Sequence, residues 1–251
     1  MSPIATSFFA FLCAFGGALL GMFLRRVLPE HHMSPESKDV VRVGMGLVAS
    51  TLALVLGLLV YSWKSFYDTQ TNEVTQLAAN VVMLDRVLAH YGTETAEIRD
   101  GLKRAIEHQI DMMWSENSAH SAGAVPVGMA GEVLLDKIHE LTPKDDRQKH
   151  LQSQAVNLAL QVGQMRLLMY EQRSVPVPKL LLILLVFWLT VLFISFGLFA
   201  PANYTVIASL FFSAIAICGA VFLLTEMYFP YGGLIQVPSA PLHSALEQLG
   251  R

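Results

Sequence analysis

The sequence is poor in charge and in cysteine, and both shortages exclude classes of protein. Only 15% of its 251 residues are charged, and the formal net charge is −3. Soluble domains carry about 25% charged residues. Because the 17 basic residues form no basic footprint, we expect no nucleic-acid partner. The two cysteines, Cys13 and Cys218, both lie in apolar runs and provide neither a disulfide framework nor a metal-binding CxxC motif.

Catalytic motifs are missing as well. The sequence has no glycine-rich phosphate loop, no nucleophile elbow and no pair of carboxylates at catalytic spacing. His31 and His32 are adjacent and would point apart on a helix, whereas His90, His108 and His120 have no partner at ligand spacing. We therefore expect neither an enzyme nor a bound metal or cofactor.

What the sequence does contain is four uncharged apolar runs. Each run of about 20 residues would span about 30 Å as a helix, which matches the hydrocarbon core of a bilayer. Arg25 and Arg26 follow the first run rather than preceding it, so we interpret that run as a retained helix and not as a signal peptide. The runs predict an all-α integral membrane protein with two transmembrane hairpins and an inserted helical extramembrane domain. The predicted membrane helices cover about 4–24, 43–63, 180–200 and 205–225, and the predicted regions are 1–63, 64–178, 179–228 and a tail at 229–251.

The second apolar run continues into an amphipathic stretch without an obvious helix stop before Gly92. Apolar residues recur there at alternating steps of three and four, which is the seam of a coiled coil. The pattern predicts an unbroken second helix that leaves the bilayer as a stalk, with Gly92 at its C′ position. The seam residues are Val74, Leu77, Val81, Leu84, Leu88 and Tyr91.

Further extramembrane helices are predicted at about 95–114 and 129–141 from their apolar spacing. A longer helix is predicted to begin with Thr142 as N-cap and Pro143 at N1, and to end before Ser174. Its apolar residues are heptad-spaced, so we expect it to pair with the stalk in antiparallel fashion. A short tail helix is predicted at about 242–249, and no alternating strand pattern is present.

Small residues lie on one face of three apolar runs. Such faces let helices approach closely in lipid, and packing within the four-helix unit or between subunits is the usual explanation. The alternative is that the second-helix face lines a pore in an oligomer, where small side chains leave room for ions and Ser50 offers a hydroxyl. The three sets are Gly17 and Gly21; Gly46, Ser50, Ala53 and Gly57; and Ser209, Ser213, Ala216 and Ala220.

No ionisable residue lies deep within any run, which argues against a proton-coupled transporter. Beyond Trp63, the residues Lys64, Tyr67 and Asp68 form a polar collar that would ring the vestibule of a pore and bias the charge of the permeant ion. The simpler explanation is interfacial anchoring by Trp63 and Tyr67, with snorkelling by Lys64. The positive-inside rule gives a tie between the two membrane sides and leaves orientation open.

One family resemblance covers nearly the whole chain. The run SKDVVRVGMGLVASTLALVLGLLVYSWKSFYDTQTNEVTQLAANVVMLDRVLAHYG and the late FPYGG segment resemble bacterial bestrophin-like membrane proteins. The resemblance implies a homo-oligomer with a cytoplasmic helical domain. True bestrophins, a more distant relation, are pentameric anion channels whose second helix carries a narrow neck of bulky apolar residues including phenylalanines. This chain has no phenylalanine between Val43 and Trp63 and no evident acidic calcium clasp after its last helix, so the resemblance implies architecture rather than a site.

Two hypotheses about function follow from these observations. The leading one is a homo-oligomeric ion channel of a bacterial inner membrane, with its pore lined by the second helix and chloride as the candidate permeant ion. The other is a non-conducting scaffold or sensor whose helical domain binds a partner. Ion flux through liposomes distinguishes the two.

Overall fold

A computed structural model describes residues 3–28, 35–114, 127–173, 179–201, 203–227, 231 and 234–250. Within these ranges the chain is all-α, as the sequence predicts, and contains no strand. The helices are α1 Pro3–Val27, α2 Pro35–Tyr91, α3 Ala96–Trp114, α4 Val127–His139, α5 Asp146–Arg173, α6 Lys179–Phe199, α7 Tyr204–Glu226 and α8 Ala240–Gln248.

The chain divides into two compact units. The membrane unit comprises Met1–Ser65 and Pro176–Tyr228, and the extramembrane unit comprises Phe66–Val175 and Phe229–Arg251. The C-terminal tail therefore belongs to the extramembrane unit instead of forming a region of its own. Four helices of the described residues, α1, α2, α6 and α7, are long and apolar enough to cross a bilayer.

Glycines set the distance between α1 and α6 in the membrane unit. A Cβ atom at Gly17 would lie 3.1 Å from the carbonyl oxygen of Thr190, and one at Gly21 would overlap the backbone of Ile194. Gly197 of α6 meets the backbone of Ala18 in the same way. The backbones of the two helices are therefore in direct contact at these glycines, and the packing explanation of the α1 glycines is confirmed. The small residues of α7 differ, because Ser209, Ser213, Ala216 and Ala220 are all exposed in the single chain.

Replacing Gly21 by valine should disrupt this helix pair. The new side chain would meet main-chain atoms of α6, which cannot rotate away, so we expect a loss of about 1–3 kcal/mol or more. The measurement is the melting temperature and the monodisperse fraction of the detergent-purified protein. Gly16→Val is the matched control, since a Cβ atom at Gly16 has no neighbour within 4 Å. Equal behaviour of the two variants would contradict the close approach.

The helix α2 runs unbroken from Pro35 to Tyr91, as predicted. It ends at Gly92, whose φ of 147° is a conformation that L side chains rarely adopt. A 3₁₀ turn at Thr93–Thr95 follows, and the Thr95 hydroxyl donates a hydrogen bond of 2.7 Å to the carbonyl oxygen of Leu88. This turn reverses the chain and begins α3.

The stalk part of α2 and the helix α5 pair in antiparallel fashion, which confirms the prediction. Gln70 bonds to Gln172 at one end of the pair, whereas the Gln148 amide donates to the carbonyl oxygen of Tyr91 at the other, at 3.0 Å. Asn80 faces Gln161 between them. Residues later in α2 therefore contact residues earlier in α5, as in an antiparallel pair. The core of the extramembrane unit lies along this seam.

The predicted start of α5 is wrong. Thr142 and Pro143 lie in the loop before the helix, which begins at Asp146. Asp145 caps the helix instead, because its Oδ1 accepts the Gln148 backbone N–H at 2.6 Å. The Gln148 side chain returns a bond to the backbone N–H of Lys144 at 2.7 Å. This exchange resembles a capping box, and it satisfies the backbone N–H groups of Lys144 and Gln148 at the start of the helix without Thr142.

Candidate functional site

The small-residue face of α2 has no partner within the chain. Gly46, Ser50, Ala53 and Gly57 are all exposed, and Cβ atoms built at the two glycines meet nothing within 4 Å. The opposite face packs into the membrane unit through Leu52, Leu59 and Trp63, all buried. The helix is therefore held on one side and leaves its small face open along the length of a membrane span.

This face offers weak polarity and no charge. The Ser50 hydroxyl donates a hydrogen bond of 2.9 Å to the carbonyl oxygen of Gly46, so its proton is used within the helix. The hydroxyl oxygen keeps its own lone pairs as acceptors. No aspartate, glutamate, lysine, arginine or histidine lies between Arg42 and Lys64.

A second exposed stripe lies next to the small one, and sequence analysis missed it. Leu47, Leu54 and Leu58 are 71%, 65% and 62% exposed. At about 100° per residue, the three leucines lie on an arc adjoining the small-residue face. Their spacing of seven and four was visible in the sequence, but a leucine in a membrane helix is ordinarily assigned to lipid contact.

The three residues of the polar collar do not share one environment in the structure. Lys64 and Asp68 are exposed, and they follow Gly57 by seven and eleven residues, spacings that keep one face of a continuous helix. Tyr67 instead is half-buried and packs against the core of the extramembrane unit, where its hydroxyl donates a bond of 3.0 Å to the carbonyl oxygen of Gln236. Of the three collar residues, only Lys64 and Asp68 therefore share the face of Gly57.

All six residues of the stalk seam are buried in the extramembrane unit. Five are fully buried and Tyr91 is 5% exposed: Val74, Leu77, Val81, Leu84, Leu88 and Tyr91. Burying side chains of this size contributes about 1.5–3 kcal/mol each relative to exposure. The seam therefore anchors the stalk part of α2 in the core of the extramembrane unit.

A buried polar cluster joins the stalk, α5 and the tail. Gln70 is fully buried, and its Oε1 accepts the hydroxyl of Tyr231 at 2.6 Å. Its amide donates to Gln172, whose own amide donates to Glu73 at 3.1 Å. Trp114 packs edge-on against Tyr231 and donates to the carbonyl oxygen of Val237. Unlike apolar contacts, these bonds have fixed directions, so they specify one seating of the tail on the stalk.

One ion pair of the extramembrane unit is buried. Asp85 is 3% exposed and receives two hydrogen bonds from the Arg99 guanidinium, at 2.7 and 2.8 Å. The bonds raise the pKa of Arg99 above its ordinary value. The backbone N–H of Gly250 also approaches Asp85 at 3.4 Å. Asp85 therefore links α2, α3 and the C-terminal end of the tail.

Two exposed ion pairs support the same unit. Lys144 pairs with Glu94, and Lys137 pairs with Glu97. The side-chain hydrogen bonds lower the pKa of both glutamates. Because the folded-state pKa values are lowered, this stabilisation is present above the ordinary pKa of glutamate and is lost as pH falls through the lowered value.

Arg166 is a buried cation on the apolar seam of α5, between Val162 and Met169. It is 9% exposed, and its Nε has no hydrogen-bond partner in the described part of the chain. Burial lowers the pKa of its guanidinium, which shows that the surroundings disfavour the charge. The heptad spacing of apolar residues in this helix gives no sign of a buried charge at Arg166.

Replacing Arg166 by methionine should stabilise the single subunit. Methionine keeps most of the apolar stem and removes a charge whose burial is unfavourable, so we expect a gain on the order of 1–3 kcal/mol. The measurement is the denaturant midpoint of the purified protein, with Gln164→Met as an exposed control on the same helix. A loss of stability would contradict this expectation, and would mean that an anion or a neighbouring copy neutralises Arg166.

The described residues contain no group of three histidine, cysteine or acidic side chains that could hold a metal ion. His31, His32 and His120 lie outside the described residues.

Comparison with known proteins identifies the family. The model of the Bestrophin-like domain matches residues 12–242, and the chain belongs to this family. Three solved structures of a bacterial bestrophin homolog from Klebsiella pneumoniae, two of them of point variants, share its fold at 15% sequence identity. Their TM-scores are 0.59, 0.61 and 0.57, and they cover 96%, 99% and 96% of this chain and 97%, 97% and 96% of their own. No curated protein matches the chain. The family and the four apolar helices together identify a membrane protein.

Proposed function

We propose that the protein is a homo-oligomeric ion channel selective for anions such as chloride, with α2 helices from several copies lining the pore. The observation that carries the proposal is the small-residue face of α2, which is open along a membrane span while the other side of the helix is packed. A face without bulky side chains leaves room for an ion, and several copies around an axis would enclose it.

The leucine stripe gives the proposed pore a constriction. The centres of the two stripes are about 90° apart on the helix, so a rotation of α2 by about 90° would exchange the small face for Leu47, Leu54 and Leu58 at the axis. An apolar ring stops conduction by dewetting, whereas small residues and hydroxyls permit it.

The collar supplies the electrostatics of the entrance. Lys64 and Asp68 carry opposite charges on one face of α2, so each copy contributes one attractive and one repulsive group for an anion. Lys64 is closer to the membrane span than Asp68, so a ring of Lys64 side chains would favour anions at the pore mouth. We place the protein in a bacterial inner membrane with the extramembrane unit on the cytoplasmic side, and a pentamer is the expected assembly, all by analogy with the family.

The test is ion flux through liposomes that contain the purified protein, with chloride compared with potassium. We expect chloride to leave the liposomes faster than potassium, at a rate that rises with the amount of protein. Faster potassium flux would contradict anion selectivity. No flux of either ion, from a monodisperse oligomer over a range of voltage and pH, would contradict the channel itself.

One observation favours the alternative of a non-conducting scaffold or sensor. Leu160, Leu167 and Leu168 of α5 are 46%, 54% and 53% exposed in the extramembrane unit, where no lipid covers them. Such a surface suits a partner protein or a neighbouring copy. Leu167→Glu should dissociate the oligomer if the neighbour is a second copy, and should leave the oligomer intact if the partner is another protein.

A further inference from the structure

A groove lies between α1 and α7 in the membrane unit. Its volume is about 570 Å³, and four of its nine lining residues are phenylalanines: Phe8, Phe11, Phe211 and Phe222. This volume is within the range of about 300–1,000 Å³ that is typical of small-molecule sites. The groove is on the side of α7 that faces α1, away from the small residues of that helix.

The groove offers no polar group to an occupant. The Ser7 hydroxyl already donates to the carbonyl oxygen of Pro3 at 2.8 Å, and the Cys218 thiol lies 3.1 Å from the carbonyl oxygen of Ser7. All the other lining side chains are apolar or glycine. An occupant is therefore held by apolar contact alone, at least over the part of it that enters the groove.

The groove follows one leaflet of the bilayer. It begins at Ile4, in the first turn of α1, and at Phe222, one turn before the end of α7, and it extends to Phe11 and Phe211. The two phenylalanines are in edge-on contact with ring centroids 5.7 Å apart, so they mark its inner end. From Phe211 to Phe222 the helix rises about 16 Å, which is about half of the 30 Å hydrocarbon core.

The shape of the groove favours one kind of occupant. The groove extends over about 16 Å along α7 and its volume is only about 570 Å³, so it is long and narrow. An extended hydrocarbon chain fits such a groove lengthwise. A helix of a second copy is at least about 10 Å in diameter with its side chains, so it would lie across the open side of the groove instead of entering it.

We propose that this groove is a binding site for one acyl chain of a bilayer lipid, in the leaflet that surrounds the N-terminal half of α1. The length matches one leaflet, the walls are apolar, and the headgroup would lie beyond Ile4 at the membrane surface. The bound chain would pack between α1 and α7 and brace α7, most of whose apolar surface is exposed in the single chain. This site does not depend on whether the protein conducts ions.

The test is native mass spectrometry of the detergent-purified protein, with phosphatidylethanolamine as the added lipid. Gly219 lines the groove and a Cβ atom there has no neighbour within 4 Å, so Gly219→Trp adds an indole ring at the groove without a backbone clash at its Cβ. We expect about one lipid per chain in the unchanged protein and at least a tenfold loss in Gly219→Trp. Gly16→Trp, on an exposed position of α1 with the same free space, should retain the lipid.

A second pair of variants keeps the test valid if Gly219→Trp fails to fold. Phe222→Ala removes a wall of the groove, whereas Leu223→Ala removes a neighbouring side chain that is 53% exposed outside it. The first should lower lipid retention several-fold and the second should not. Equal retention in both pairs, or no lipid on the unchanged protein, would overturn the proposal. A change of oligomer mass in Gly219→Trp with lipid retained would instead assign the groove to a second copy.

Discussion

Gly57→Trp should lower chloride flux through the reconstituted protein by about tenfold or more, because an indole ring would occupy the axis of the proposed pore. Ser50→Trp should act in the same way one and a half to two turns further along the helix. Both positions are exposed, and a Cβ atom at Gly57 has no neighbour within 4 Å, so we expect the subunit to accept both substitutions. The measurement is chloride efflux from liposomes, normalised to the amount of oligomer by size-exclusion chromatography.

Three outcomes of that experiment are informative. Gly16→Trp places the same ring on an exposed position of α1 and should leave flux unchanged. Leu54→Trp tests the adjoining stripe, and loss of flux there with normal flux in Gly57→Trp would move the pore axis onto the leucines. Unchanged flux in both Ser50→Trp and Gly57→Trp would argue against α2 as the lining helix.

Asp85→Asn should destabilise the extramembrane unit by about 3–5 kcal/mol, because it leaves the Arg99 guanidinium beside a neutral group in a largely dry site. Asp85 is 3% exposed and forms both hydrogen bonds of the pair, so no water can readily replace it. We expect a melting temperature lower by many degrees, and earlier proteolysis of the tail, since Gly250 also contacts Asp85. Limited proteolysis and thermal unfolding of the purified protein measure the two effects.

The matched control for this prediction is Asp100→Asn, the same chemical change on an exposed residue next to Arg99. Its effect should stay within about 0.5 kcal/mol. A double variant, Asp85→Asn with Arg99→Met, should recover part of the loss, because it removes the unpaired charge. If Asp85→Asn and Asp100→Asn unfold at the same temperature, the buried pair does not stabilise the unit.

The length and spacing of apolar runs explain most of what the sequence predicted correctly. Runs of about 20 apolar residues give the membrane helices, and steps of three and four give the stalk, since burial in either case depends only on spacing along one helix. The helix ends depend instead on hydrogen bonds between nearby side chains and the backbone, which apolar spacing does not indicate. Asp145 caps α5 in place of Thr142 because its side chain reaches the N–H of Gln148, which composition alone does not reveal.

Contacts between distant segments were beyond the sequence. Arg99 reaches Asp85 only because the chain reverses at Gly92, and residue spacing along a single helix does not reveal such a pair. The Tyr231 hydroxyl meets Gln70 across 161 positions of the chain. The exposed state of the small face of α2 likewise depends on which side of the helix packs against its neighbours, and periodicity does not decide that.

The central claim is that an aqueous ion pathway runs along the small face of α2. Its most direct test is chloride current through planar bilayers, with Ser50→Cys in a background that carries Cys13→Ser and Cys218→Ser. A charged methanethiosulfonate added from the water should change the current at once in Ser50→Cys. The reagent should not change the current of the Leu52→Cys variant in the same background, because the Leu52 side chain is 5% exposed on the packed face. A chloride current that the reagent does not alter in Ser50→Cys, or the absence of any current in either variant, would contradict the claim.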